Sequence, residues 1–320
     1  MAKQAVLLLA HGTPETVDQI PEYLRNVVSG RPIPKTVIEE IQHRYSLIGR
    51  SPLTEITMEQ ARLVQENLAA SGLAVPVYVG MRNWRPYIAD VVSRMRADGI
   101  EEAAVICLAP QNSRTSVGLY RRAAVAEAAE MRIDFTESWA DRPLLAEAFA
   151  ERLRPLHARL TAETGSPVPV LFTAHSVPLR TIQPPAEPET GPRLWPGQGA
   201  DSYDNDARRT AELVAAQVPQ IPRWWFAYQS QGASGGPWLG PTVEETLQAI
   251  AAEGVNTLIL QPVGFLCDHV EILYDVDRHF LEVAASLGIR LQRPESLNAS
   301  HTLARAIAEL ARDGLTRLRS

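Results

Sequence analysis

Six short apolar runs punctuate the chain: Ala5 to Ala10, Val75 to Gly80, Ala103 to Ala109, Val168 to Ala174, Trp224 to Tyr228 and Thr257 to Val263. They are bounded by Gly or Pro and do not alternate with polar residues, which is the pattern of strands buried on both faces. Between them, Met58 to Ala70, Arg85 to Ala97, Val243 to Ala252 and Val270 to Leu287 carry apolar residues at helical spacing. Thr242 followed by Glu245 predicts a capping box at the start of the third of these helices. Strand and helix alternate, so the pattern predicts an α/β fold with parallel sheets covered by helices on both faces.

The pattern also repeats. Ala5 to Glu15 reads AVLLLAHGTPE and Pro169 to Leu179 reads PVLFTAHSVPL, so each half has a strand ending in Ala-His-x-x-Pro. Arg96 to Pro110 (RADGIEEAAVICLAP) and Ala252 to Pro262 (AEGVNTLILQP) are each a helix end, a glycine and a strand closed by proline. Two Rossmann-like domains are therefore expected, residues 1–140 and 141–320, with the boundary near Ser138 to Leu145 and the terminal helix free to cross over. Ligands of such sheets bind beyond the carboxyl ends of the strands, so a cleft between the domains is the expected site. His11, Pro110, His175, Tyr228 and Pro262 all fall at predicted strand ends, and none carries a GxGxxG or P-loop run. The Pro- and Gly-rich stretch Gln183 to Ser202 reads as a loop that follows His175 and is placed to cover the cleft.

Composition narrows the function. A formal charge of −6 over 320 residues offers no general attraction to nucleic acid or an anionic membrane, so an anionic substrate must meet a local basic site. No apolar run approaches the roughly 20 residues that span a bilayer, and a cytoplasmic protein without an integral membrane segment is expected. Cys107 and Cys267, the only cysteines, end apolar runs and are expected as buried thiols; two cysteines do not make a four-cysteine zinc or iron–sulfur site.

The candidate chemistry gathers at two places. His175 follows an apolar strand, where an imidazole can accept a proton near neutral pH or ligate a divalent metal; the alternative is a histidine that hydrogen-bonds its own loop. In Gly264 to His279, read as an α-helix, Glu271, Asp275 and His279 recur at i, i+4 and i+8 and share a face with Asp268. Carboxylates with an imidazole suit a borderline divalent metal such as ferrous iron without the grip of thiolates; a solvated face is the competing reading. Ser230 follows another strand, and Trp238, in a Gly- and Pro-rich loop, offers a flat face to a flat ligand or a hydrophobic plug. In the first half, Arg31, Arg50 and Arg82 are candidates for carboxylates through guanidinium pairs.

Taken together these residues resemble the ferrochelatase family over nearly the whole chain. The matching runs are Gly12-Thr13-Pro14, Arg44-Tyr45 leading to Ser51-Pro52-Leu53, Ala174-His175-Ser176-Val177-Pro178, Tyr228-Gln229-Ser230, Pro237-Trp238-Leu239-Gly240-Pro241, and Gly264-Phe265 through Asp268-His269-Val270-Glu271-Ile272-Leu273-Tyr274. The resemblance implies a porphyrin held between two Rossmann-like domains, with His175 and Glu271 as the catalytic pair and as metal contacts. Asp275 and His279 then continue an acidic ridge that delivers iron, and His11, Arg31, Tyr45, Arg50, Ser51, Arg82, Ser230 and Trp238 are the expected substrate contacts. The likeness is nearest to soluble bacterial enzymes acting on coproporphyrin III. The chain departs from them in carrying His11 where they have tyrosine, His279 where they have glutamate, and a longer loop at Gln183 to Ser202.

The expected function is thus a metal-inserting lyase of haem biosynthesis, with Fe2+ as substrate and no organic cofactor or iron–sulfur cluster. Coproporphyrin III is favoured over protoporphyrin IX. A monomer that passes its product to a downstream haem-accepting enzyme is expected. The alternatives are a cobalt chelatase for a corrin precursor and a haem-binding carrier that uses His11 or His175 as an axial ligand.

Overall fold

The computed structural model describes residues 2–182, 201–231 and 236–319; residues 183–200 of the Pro- and Gly-rich stretch lie outside them. The chain divides into two compact units, one of residues 2–139 with 298–319, the other of residues 140–297 as far as they are described.

The first unit is built on a parallel sheet of β1 (Gln4–Ala10), β2 (Val77–Met81), β3 (Glu102–Cys107) and β4 (Arg132–Thr136), in the order β2-β1-β3-β4. The two central strands are buried throughout, because helices cover both faces. Leu7, Leu9, Val105 and Cys107 pack with Val92 and Met95 of α4 (Ile88–Ala97) and with Val117 and Tyr120 of α5 (Val117–Ala128). The other face meets α11 (His301–Arg319), which packs on β3, on β4 and on α3 (Leu53–Ala70). The last helix of the chain thus completes the core of the first unit. Leu315 accepts a hydrogen bond from Gln4 at 3.4 Å, and Arg317 forks onto Asp134 at 2.7 and 2.8 Å. Strand β4 was not among the expected runs, since this edge strand reads Arg-Ile-Asp-Phe-Thr and is half-buried at most positions.

The second unit repeats the plan with β5 (Val170–His175), β6 (Trp224–Gln229), β7 (Thr257–Pro262) and the short edge strand β8 (Arg290–Gln292), ordered β6-β5-β7-β8 and all parallel. Leu171, Ala227, Leu258 and Leu260 pack under α9 (Val243–Ala252), whose Thr242 and Glu245 form the expected capping box, and under the segment Glu271–Phe280. Buried residues of α6 (Pro143–Thr164) and α8 (Tyr203–Gln217) form a second apolar layer of this unit. In both sheets the first strand lies between the second and the third, so winding reverses beside β1 and beside β5. That reversal leaves a crevice at the carboxyl ends of the strands.

One expectation is corrected. Val270 to Leu287 is not one α-helix: Glu271–Phe280 is π-helical, with i→i+5 hydrogen bonding, and only Leu281–Ser286 continues as an α-helix, α10. Ile272, Val276 and Phe280 turn into the core, and of the polar residues one position earlier Asp275 is also buried, Glu271 is half-buried and His279 is exposed. A recurrence at every fourth residue falls between the roughly 3.6-residue turn of an α-helix and the wider turn of a π-helix, so the sequence pattern does not distinguish the two.

Candidate active site

His175 closes β5, and its ring is held by both nitrogens. Nδ1 bonds the Ser176 carbonyl, which only accepts, so Nδ1 carries the proton and Nε2 is the basic nitrogen. Nε2 stands 3.4 Å from Glu271 Oε1; the two side chains are 33% and 30% exposed. The strand end is fixed from behind. Tyr203, buried at the start of α8, donates to the His175 carbonyl at 2.8 Å, and Ser176 donates to the Leu239 carbonyl at 2.7 Å. Thr173, on the same face of β5, donates to buried Gln229 at 2.6 Å, and Gln229 is the strand neighbour of His175.

Gly264 lets β7 turn beneath that strand end. A Cβ there would lie 2.9 Å from the Ala174 Cα, so no larger residue fits without moving β5. In the first unit Gly12, with φ of +77°, meets Met81 and Trp84 in the same way, a Cβ falling 2.8 Å from Met81 Cβ. Both glycines hold close approaches beside the last residue or two of a neighbouring strand.

Glu271 begins the π-helical segment. His269 Nε2 lies 3.6 Å from its Oε2, outside hydrogen-bond reach, while His269 Nδ1 donates to the Cys267 carbonyl at 3.1 Å. Oε2 is buried without a hydrogen-bond partner among the described residues. Burial opposes ionisation of Glu271, but His175 and then His269 outweigh it and hold the carboxyl well below the usual range. Burial likewise opposes the imidazolium of His175, but Glu271, then the Ser176 carbonyl and Asp275, raise its pKa above the usual histidine value. The pair therefore favours a proton on His175 and a charge on Glu271.

The other predicted residues of this unit have separate surroundings. Asp275 is buried and accepts from Ser230 Oγ at 2.5 Å; Ser230 sits in the left-handed region at φ +61°, a strained position for serine that this bond helps hold. His279 lies 2.9 Å from Glu244 on the surface. Trp238 is partly exposed and its backbone bridges Pro178, stitching the 236–241 loop to the segment after His175. Asp268 faces Arg293 and Ser296 instead of continuing the row of Glu271. Among the described residues no three His, Cys, Asp or Glu side chains form a ready metal cage.

In the first unit, His11 Nε2 is 2.8 Å from the Tyr23 hydroxyl, and the Asn83 amide lies 3.2 Å from the same ring. Ser51 is buried and accepts from Thr13 at 3.0 Å, and Tyr45 is fully buried. Arg50 pairs with Glu55 at 2.8 Å on the surface, and exposed Arg31 caps the Val28 carbonyl at 2.9 Å. Arg82 is largely enclosed at the end of β2, where burial lowers its pKa, and it has no ion pair among the described residues. Sequence reasoning did not select Tyr23, Asn83, Tyr203, His269 or Arg293. Only His269 had a local signal, since it stands two residues before Glu271.

Two parallel sheets wound in one order, with an imidazole and a carboxylate meeting at a strand end, make an α/β protein of two Rossmann-like units. The fold matches the sirohydrochlorin chelatase SirB from Bacillus subtilis subspecies spizizenii in complex with cobalt, with a TM-score of 0.56 at 12% identity over 98% of this chain and 96% of that one. The ferrochelatase family model matches residues 3–315, and the chain belongs to that family. It is 59% identical to the ferrochelatase of Acidobacterium capsulatum, over 99% of this chain and 96% of that one. It is also 35% identical to the coproporphyrin III ferrochelatase of Mycolicibacterium vanbaalenii, over 97% and 89%.

Proposed function

We propose that this ferrochelatase inserts ferrous iron into coproporphyrin III and that His175 and Glu271 are its catalytic pair. The observation that carries the reading is the 3.4 Å approach of His175 Nε2 to Glu271 Oε1, with the opposite ring nitrogen committed to a carbonyl. Insertion removes two pyrrole protons as one divalent cation enters, so the site must accept protons where it also tolerates a cation. Once His175 has given up the proton that Glu271 favours, Nε2 is the base for the first pyrrole proton, and the ionised Glu271 stabilises the imidazolium that results. Oε2 of Glu271, which makes no hydrogen bond among the described residues, remains available to the metal as a charged oxygen. Asp275 and His279 are proposed to pass iron along the same segment, with Ser230 orienting the Asp275 carboxylate.

Coproporphyrin III offers four carboxylates and protoporphyrin IX two, and a relative named for the former supports that choice. Of the candidate arginines Arg82 is best suited to a carboxylate, because it is enclosed and has no acidic partner among the described residues. We further propose a monomeric, cytoplasmic enzyme that requires no organic cofactor or cluster and hands its product to a haem-accepting enzyme; no described helix is long and apolar enough to cross a membrane. Purified protein incubated anaerobically with ferrous iron should show a higher kcat/KM for coproporphyrin III than for protoporphyrin IX. The reverse order overturns the substrate, cobalt insertion into a corrin precursor in preference to both overturns the reaction, and stoichiometric binding without turnover makes the chain a carrier.

A further inference from the structure

The segment that carries Glu271 and Asp275 is π-helical, a conformation that is rare and persists where its surroundings impose it. Core packing imposes it only in part. Ile272, Val276 and Phe280 are buried in the apolar cluster, yet beside Val276 and Leu281 the segment borders a crevice of about 250 Å3 that reaches Leu260, Leu291 and Arg293. What spans that side is polar. Arg293, immediately after β8, reaches back with its side chain only 16% exposed.

All five guanidinium N–H groups have an acceptor. Nε and Nη2 fork onto Asp277 at 2.5 and 2.6 Å, Nη2 also reaches Asp268 at 3.2 Å, and Nη1 faces the Pro294 carbonyl at 3.1 Å and Ser296 Oγ at 3.4 Å. Ser296 in turn donates to the same Asp268 oxygen at 2.7 Å. Asp268 precedes Glu271 in sequence and Asp277 follows it, so one planar cation ties together the chain on both sides of the candidate catalytic carboxylate. Asp268 also adjoins His269, and Asp277 is two residues from Asp275. A lysine could balance the charge, but a point ammonium cannot reproduce the fork that fixes two carboxylates at once.

We propose that Arg293 is a positioning residue for iron insertion, clamping Asp268 and Asp277 so that the π-helical segment holds Glu271 toward His175 and Asp275 toward Ser230. Its hydrogen bonds go to none of those four side chains; it acts through the backbone between its two aspartates. The proposal rests on the iron-insertion reading for its activity arm, and hydrogen exchange supplies an arm that does not.

The test uses the full chain with Arg293→Lys, Arg293→Met and Asp277→Asn. Each variant should show faster amide exchange across 271–280 than wild type, with exchange in α6 and α9 unchanged. In anaerobic insertion assays at a temperature where all variants are folded, kcat should fall about 10- to 100-fold, the scale of an ångström-sized misplacement, while KM for the porphyrin stays within about twofold. Lysine should rescue little more than methionine, and Arg293→Lys combined with Asp277→Asn should cost no more than the worse single variant, since both remove one fork. Wild-type exchange in 271–280, or a lowered Tm with unchanged kcat, overturns the clamp. A wild-type protein that inserts no iron sinks the functional reading, and the exchange measurement still decides the clamp.

Discussion

At the scale of single residues, the protonation state of His175 is set by what flanks its two nitrogens. A carbonyl on one side fixes the tautomer, and a carboxylate on the other favours the cation over the desolvation that opposes it. The free enzyme must lose that proton before Nε2 can act as a base. The acidic limb of kcat/KM should therefore lie above the usual histidine value of about 6.5. Glu271→Gln removes the largest of the influences that raise His175, leaving only the Ser176 carbonyl and Asp275 to oppose desolvation. An NMR titration of the His175 ring should move to lower pH in that variant, and an unmoved titration would remove Glu271 as the cause. Stability follows the same signs. His175 contributes fully below about 6.5 and loses its contribution as pH rises through its raised folded value; Glu271 contributes fully above about 4.5 and loses it as pH falls through its depressed one. His175→Ala and Glu271→Gln should each lower turnover at least about 100-fold with the fold retained, and near wild-type turnover in a folded His175→Ala protein would refute the catalytic pair.

At the scale of elements, the strand that ends in His175 is positioned by backbone contact as much as by hydrogen bonds. Gly264 lies against Ala174 where a Cβ would come within 2.9 Å of backbone, and no side-chain rotation relieves that. Gly264→Ala should cost about 1–3 kcal/mol, the range for overpacking a tight site, measured by urea denaturation. It should also lower kcat, because the forced shift falls one residue from His175. A variant as stable and active as wild type would mean that β7 yields freely. The strands themselves were largely readable in the chain, since β1, β3, β5, β6 and β7 are apolar runs with most of their residues buried. Strands β4 and β8 were not, because an edge strand needs no such run. The π-helical segment was read as α-helix, since a four-residue recurrence fits both.

For the whole molecule, the first unit is completed by residues far along the chain. Leu303, Ile307, Leu310 and Leu315 of α11 are buried, and the helix is tied to β1 and β4 through Leu315 and Arg317. Removing residues 299–320 should expose the apolar face under it and leave the first unit unfolded or aggregated, with each leucine or isoleucine lost from a core position worth about 2–5 kcal/mol. Asp134→Ala should have a much smaller effect, because its partner Arg317 is largely exposed. A truncated chain with an unchanged unfolding transition would show that α11 is an ornament of that core.

The sequence by itself determined what short-range patterning can encode. Apolar runs gave buried parallel strands, the repeated Ala-His-x-x-Pro and helix-glycine-strand-proline segments gave two halves of one plan, and the motif order carried the family. It also put His175 at a strand end and Glu271 at the start of a helix. Tertiary structure alone decided that these two meet at 3.4 Å, that His11 shares its ring with Tyr23 and Asn83, and that Asp268 answers to Arg293. Such contacts join residues 12 or more positions apart, and nothing in the local chemistry of either partner selects the other. Only packing the strands in their order brings them together, because a hydrogen bond or ion pair is chosen by distance in the folded molecule and not by distance along the chain.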